Sequence, residues 1–280
     1  MTIPRPVIIA AASTGGVLLF LLLSLAFIPD RALEQAVART LTADGFTFKA
    51  VAFGKAFPLG LQGKRLEIGT DAGPILVLDR AAIRLKILPL LTGRVTVALD
   101  GRIGAGTING TITVAPQKKL ELTIRDLSLG AVPFFATVAG TQAKGIARVS
   151  TTIQGVGSGA KGTMQLQVRG AELNGIKIGE TPLPDAAYRE VQGMLRVGGG
   201  RASLESFTLQ GDGLYVRLKG DMPISAPLNA SPLNLTLELM PKPEFLERQK
   251  FVFLLLVKYL ISPGHYQIPI RGTLAKPLLQ

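Results

Sequence analysis

From Phe46 onward, apolar residues recur at every second position, and this alternation runs through most of the chain. Ile83, Leu85 and Ile87 share one parity, as do Val95, Val97 and Leu99. Ile108, Ile112 and Val114 do the same about Gly110, followed by Leu120, Leu122 and Ile124. Met164, Leu166 and Val168 repeat the pattern, then Leu214, Val216 and Leu218, and last Leu233, Leu235, Leu237 and Leu239. The positions between are mostly Thr, Arg, Lys, Gln or Glu. A period of two sends successive side chains to opposite faces of a strand, so the pattern predicts antiparallel strands with one apolar and one wet face.

The parity slips in places. Leu120, Leu122 and Ile124 are even, whereas Leu127 and Leu129 after Arg125-Asp126 are odd, and a second slip falls between Leu204 and Phe207. A slip of one residue turns every later side chain to the other face, so a bulge is expected at both points. With glycines at 104, 106, 110, 157, 159 and 162, these bulges suit a strongly curved, groove-like sheet with an apolar concave side. The fold class expected is therefore mainly β. Candidate groove residues are Leu85, Leu122, Ile124, Leu166, Val168, Leu214, Val216, Leu235 and Leu237.

Helical patterning is concentrated at the two ends and scarce between them. Val7–Ile28 is an uncharged apolar run, preceded by Arg5 and followed by Pro29, Asp30 and Arg31. As a helix it would extend roughly 33 Å, enough for a hydrocarbon core of ~30 Å. Residues 1–29 are thus expected to be an uncleaved membrane anchor, with Val7, Leu18, Leu22 and Ile28 along it and the rest of the chain exported. Ser24-Leu25-Ala26 leaves a cleaved signal peptide open, although the run exceeds the usual apolar core of such peptides. Behind Pro29, Asp30 can cap a short amphipathic helix in which Leu33, Ala36, Val37, Thr40 and Leu41 recur at helical spacing up to Gly45. Its apolar face would pack on the sheet or lie among lipid headgroups.

Near the other end, Glu244–Ile261 reads as a helix stopped by Ser262-Pro263-Gly264. Phe251–Val257 is apolar all round between Lys250 and Lys258, with Phe251, Phe253 and Leu256 as the residues that would plug one end of the groove or dip into a membrane surface. Val132–Gly140 and Pro184–Glu190 are brief helix candidates. Residues 30–280 are expected to form a single elongated β-rich domain.

Composition narrows the chemistry. The chain has no cysteine, one histidine and 32 glycines, and a formal charge of +12. Without cysteine there is no disulfide framework, no thiol nucleophile and no His/Cys metal cluster. The basic residues are scattered, the densest doublets being Lys64-Arg65 and Lys118-Lys119, and no basic helix or stacking aromatic accompanies them. Nucleic acid is therefore not an expected partner, whereas anionic lipid is the more economical one. His265, beside Tyr266 in a turn, reads as structural. The glycine clusters at 104–106 and 155–159, and Lys161-Gly162-Thr163, lack the order a dinucleotide fingerprint, nucleophile elbow or P-loop requires. No catalytic residue, cofactor or metal is expected, and the protein reads as a non-enzyme.

A family resemblance enters through specific segments. The anchor, the short helix ending near Gly45, Phe46–Leu61, and Leu78-Asp79-Arg80-Ala81-Ala82-Ile83-Arg84-Leu85 leading into Leu88-Pro89-Leu90-Leu91-Thr92-Gly93-Arg94 resemble the start of AsmA-type bacterial envelope proteins. Ile270-Arg271-Gly272-Thr273-Leu274-Ala275-Lys276-Pro277 resembles their last strand. Leu183-Pro184, Val191-Gln192-Gly193 and Ser231-Pro232-Leu233, with the Gly-rich strands and total length, resemble more specifically the GspN component of type II secretion systems.

The resemblance implies a single-pass protein of the bacterial inner membrane, with its bulk in the periplasm. It implies a role in export of folded proteins across the outer membrane, with other secretion-system components as partners. The wider AsmA-like class implies the alternative, a lipid-binding or lipid-transfer module whose β-groove holds phospholipid acyl chains.

Overall fold

The computed structural model describes residues 27–57, 59–90, 92–138, 140–175, 177–178, 181–224, 230–274 and 276–279. Helix α1 (Asp30–Ala43) leads in, with Pro29 as its N-cap and Gly45 in the left-handed region at φ 82° just beyond its end. Asp30 does not cap the helix through its side chain; its carboxylate lies 3.9 Å from Lys55 Nζ, on the strand beside which α1 sits. None of the α1 residues is buried.

A meander follows. Its strands are β1 (Thr47–Ala56), β2 (Gly60–Thr70), β3 (Gly73–Leu85), β4 (Val95–Ile103), β5 (Gly106–Ala115), β6 (Lys119–Ser128), β7 (Gln142–Gln154) and β8 (Lys161–Asn174). After a separate pair, β9 (Lys177–Ile178) with β10 (Thr181–Pro182), it continues through β11 (Ala186–Gly198), β12 (Arg201–Gly211), β13 (Leu214–Pro223) and β14 (Asn234–Pro241). From β1 to β14 each strand of the main sheet pairs antiparallel with the next, β8 joining β11. β16 (His265–Gly272) then pairs with β14, and β15 (Leu260–Ser262) and β17 (Pro277–Leu279) share its other edge at opposite ends. The result is one open antiparallel sheet of 15 strands.

Both expected parity slips are present. The β6–β7 register shifts between Ile124 and Leu127, with Asp126 at φ 54°, and the β12–β13 register shifts between Leu204 and Phe207. A non-glycine residue in the left-handed region is uncommon, and aspartate is among those that tolerate it. The Gly-rich segments are strand and turn pieces: Gly104 sits in the β4–β5 turn and Gly157–Gly159 form a 3-10 turn before β8.

Five expectations are corrected. Among the described residues no helix is long and apolar enough to cross a membrane, so a single-pass inner-membrane protein is not supported. A span needs about 20 mostly apolar residues, whereas the longest described helix, α1, has 14 and carries Asp30, Arg31, Glu34 and Arg39. Val7, Leu18 and Leu22 lie outside the described residues, and Ile28 stands in a bend just before α1.

Pro184–Glu190 is not helical, because Ala186 and Tyr188 pair with Leu173 and Ala171 of β8 and are buried there. Ile87 leaves the strand pattern for a short helix, α2 (Ile87–Leu90), after Lys86 donates the last ladder bond to Thr96 O at 2.8 Å. Val132–Gly140 shrinks to α3 (Phe134–Thr137).

Glu244–Ile261, finally, is not one helix. It divides into α4 (Pro243–Arg248), α5 (Lys250–Leu255), a 3-10 turn over Val257–Tyr259, and β15. The break falls at Gln249, whose side chain is engaged with the backbone of Asp185: Asp185 N–H donates to Oε1 at 3.1 Å, and Nε2 donates to Asp185 O. Leu260–Ser262 leaves the helix because β16 offers it a ladder.

Candidate functional site

Register settles which side chains share a face, because directly paired residues point the same way. Ile83, Leu99, Gly110, Leu122, Thr151, Met164, Leu195, Leu204, Gly220, Leu235 and Ile270 form one continuous cross-strand row from β3 to β16. A parallel row runs from Ile108 and Ile124 through Val149, Leu166, Gly193, Phe207 and Leu218 to Leu237 and Ile268. A third runs from Leu127 through Ala147, Val168, Val191, Leu209 and Val216 to Leu239 and Tyr266. The apolar residues read from alternation therefore do meet on one face.

They are not equivalent. The third row is buried throughout. It is covered at its β14–β16 end by Phe245, Phe253, Leu256 and Tyr259, with the Phe253 ring 5.1 Å from that of Tyr266 and 6.2 Å from that of Phe245. Gly213 makes this cover fit: a Cβ there would stand 2.5 Å from Phe245 Cδ2. Val168, Leu214, Val216 and Leu237 of the candidate groove belong to this closed core.

Leu85, Leu122, Ile124, Leu166 and Leu235 are only half-buried. With Leu99, Leu195 and Leu204 they make a half-buried apolar strip; Ile124, Leu166 and Leu235 pack against the closed core, and Thr151 in the same row as Leu122 is itself buried. Leu195 and Leu204 escape a reading of alternation because the slip between Leu204 and Phe207 breaks the count beside them.

The C-terminal residues also divide. Phe253 and Leu256 are 2% and 0% exposed, whereas Phe251 is 77% and Leu254 61% exposed. Leu255, Val257 and Ile261 are exposed as well, so the segment from Phe251 to Ile261 inserts one side into the core and presents the other as an apolar patch. Lys250 and Lys258 border it, each ammonium over the ring of its neighbour, at 6.0 Å from Phe251 and 4.7 Å from Tyr259.

Polar chemistry on the sheet is mostly ion pairs on the solvated face. Lys119 Nζ lies 2.6 Å from Glu121 and, by donating to it, holds that carboxyl below its usual value. Glu172, 2.7 Å from Lys144, raises the lysine in the same way. His265 begins β16 opposite Ser262, with Nε2 buried and, among the described residues, without a hydrogen-bond partner. Among the described residues no group of three or more His, Asp or Glu side chains is placed to hold a metal ion.

No protein-family model matches the chain, and neither a curated protein nor a solved structure matches it.

Proposed function

We propose that the protein is a non-enzymatic component of a type II protein secretion system, supporting export of folded proteins across the outer membrane through contacts of its sheet and C-terminal segment. The observation that carries this reading is the patch of Phe251, Leu254, Leu255, Val257 and Ile261, apolar side chains left in solvent on a segment whose other side is core. Contiguous exposed apolar surface beside a rigid scaffold marks an interaction site. The resemblance of the sequence to GspN supplies the kind of machine. Replacing the chromosomal copy by F251S/L254S/L255S tests it: exoprotein should accumulate in the periplasm with the outer membrane intact, and unchanged secretion sinks the proposal.

A second reading rests on a different observation. The strip through Leu99, Leu122, Leu195, Leu204 and Leu235 is apolar and only half-buried. In this reading the sheet curves about that face as a groove and acyl chains of phospholipid complete its cover. Extraction of lipid from purified protein, with L122D as comparison, decides it: bound phospholipid lost in a folded L122D protein favours the groove, and an equal lipid content in both removes it.

A further inference from the structure

The solvated face holds a feature that neither reading uses. On β2, β3 and β4, Lys64 stands directly opposite Arg80, and Arg80 directly opposite Arg102. With strands 4.7–4.9 Å apart, the three cations span about 10 Å in one row. Like charges facing each other across a sheet weaken the pairing. Nothing local relieves them: among the described residues, none of the three has a carboxylate within ion-pair distance.

The neighbouring carboxylates are engaged elsewhere. Asp100 Oδ2 lies 3.9 Å from Arg84 Nη1, and Asp79 Oδ2 accepts the Gly104 N–H at 2.6 Å. All of these side chains line one open cleft of about 720 Å³, together with Gln62, Thr107 and Asn109. Its four cations outnumber its two carboxylates, so it is net positive.

We propose that this cleft binds a phosphate-bearing anion of more than one negative charge. The guanidinium groups of Arg80 and Arg102 offer planar, forked donors that match phosphate oxygens, and Lys64 adds a point charge at the end of the row. Gln62, Thr107 and Asn109 supply neutral hydrogen bonds to the remaining oxygens. Among the described residues no aromatic side chain lines the cleft, so they offer no platform for stacking a base, and its volume suits a small ligand. The phosphate belongs either to a free phosphorylated compound or to a lipid headgroup, and both present the same chemistry to the row.

Calorimetric titration of the full-length protein in nonionic detergent tests the site, with pyrophosphate, dihexanoyl phosphatidic acid and dihexanoyl phosphatidylcholine as probes. Pyrophosphate is expected to bind, to raise the melting temperature, and to lose about tenfold or more in affinity in R80Q/R102Q. R148Q/R169Q removes the same charge from β7 and β8 of the same face and should leave affinity within about twofold. Tighter binding of phosphatidic acid than of pyrophosphate would assign the headgroup as the source; the reverse order would assign a free compound. Absence of pyrophosphate and phosphatidic acid binding, equal loss in the two variants, or phosphatidylcholine binding as well as phosphatidic acid each overturns the proposal. R80Q/R102Q relieves a repulsion and should melt no lower than the parent; if it does not fold, K64Q takes its place and must lower affinity about threefold or more.

Discussion

Thr151 faces Leu122 across β6 and β7, and its hydroxyl, buried in an otherwise aliphatic row with Met164 on its other side, has no hydrogen-bond partner among the described residues. A buried hydroxyl without a partner costs on the order of 1–3 kcal/mol. Thr151→Val keeps the shape and removes the polar atom, so it should stabilise the fold by about 1 kcal/mol. Urea denaturation read by circular dichroism measures this, and a destabilised variant would mean that the hydroxyl is satisfied in solution.

The apolar face predicts opposite fates for two similar substitutions. Val216, 5% exposed, lies in the closed row between Leu209 and Leu239. Val216→Asp buries an unpaired carboxylate there and should cost more than about 4 kcal/mol, leaving little folded protein. Leu122 is half-buried on the open strip, and Leu122→Asp should fold with a loss of about 1–2 kcal/mol. Equal losses in the two would show that the strip is closed core as well.

The junction between α4 and α5 depends on one side chain. Gln249 satisfies both backbone groups of Asp185, so Gln249→Ala should lose about 1–2 kcal/mol. The loss should be local: limited proteolysis is expected to cut between α4 and α5 in the variant at protease levels that leave the parent whole. An unchanged digestion pattern would show that packing of Phe245 and Phe253 alone holds the segment.

Tyr188 gives the fold an alkaline limit. Burial pushes its phenol well above the ordinary value near 10. The folded state therefore keeps the proton after the unfolded state has lost it. Stability is fully present below about pH 10 and falls by about 1.4 kcal/mol per unit as pH rises from there toward the folded value. Tyr188→Phe should flatten this fall, and denaturation midpoints at pH 9, 10 and 11 would measure it. The same slope in parent and variant would assign the limit to other groups.

The exposed residues at the C-terminal end should be nearly neutral for folding. F251S, L254S and L255S each remove solvent-facing apolar atoms and should shift stability by no more than about 0.5 kcal/mol. A melting curve matching the parent, combined with lost secretion, would separate an interaction defect from a folding defect.

Much of the sheet was legible in the residues because alternation is a local record of which face is apolar. The slips at Arg125-Asp126 and between Leu204 and Phe207 show as parity changes for the same reason, and both coincide with register shifts. What alternation does not carry is depth. Leu122 and Val216 look alike in sequence, and only the cover supplied by Phe253, Leu256 and Tyr259 makes one core and the other open strip.

Glu244–Ile261 misleads because helical spacing is satisfied residue by residue, while the break at Gln249 depends on Asp185, 64 residues away. The cation row was visible only as the Lys64-Arg65 doublet, since Arg80 and Arg102 come beside it through strand pairing.

From β1 to β14 the sheet makes every connection to the nearest available strand, so no part of it needs a distant part to be laid down first. Such a sheet is modular in units of a hairpin. Inserting or removing one hairpin restores the direction of the chain and the parity of every later strand, whereas a single strand would reverse both. A variant of this sheet one hairpin broader or narrower would therefore keep both of its ends in their present orientation.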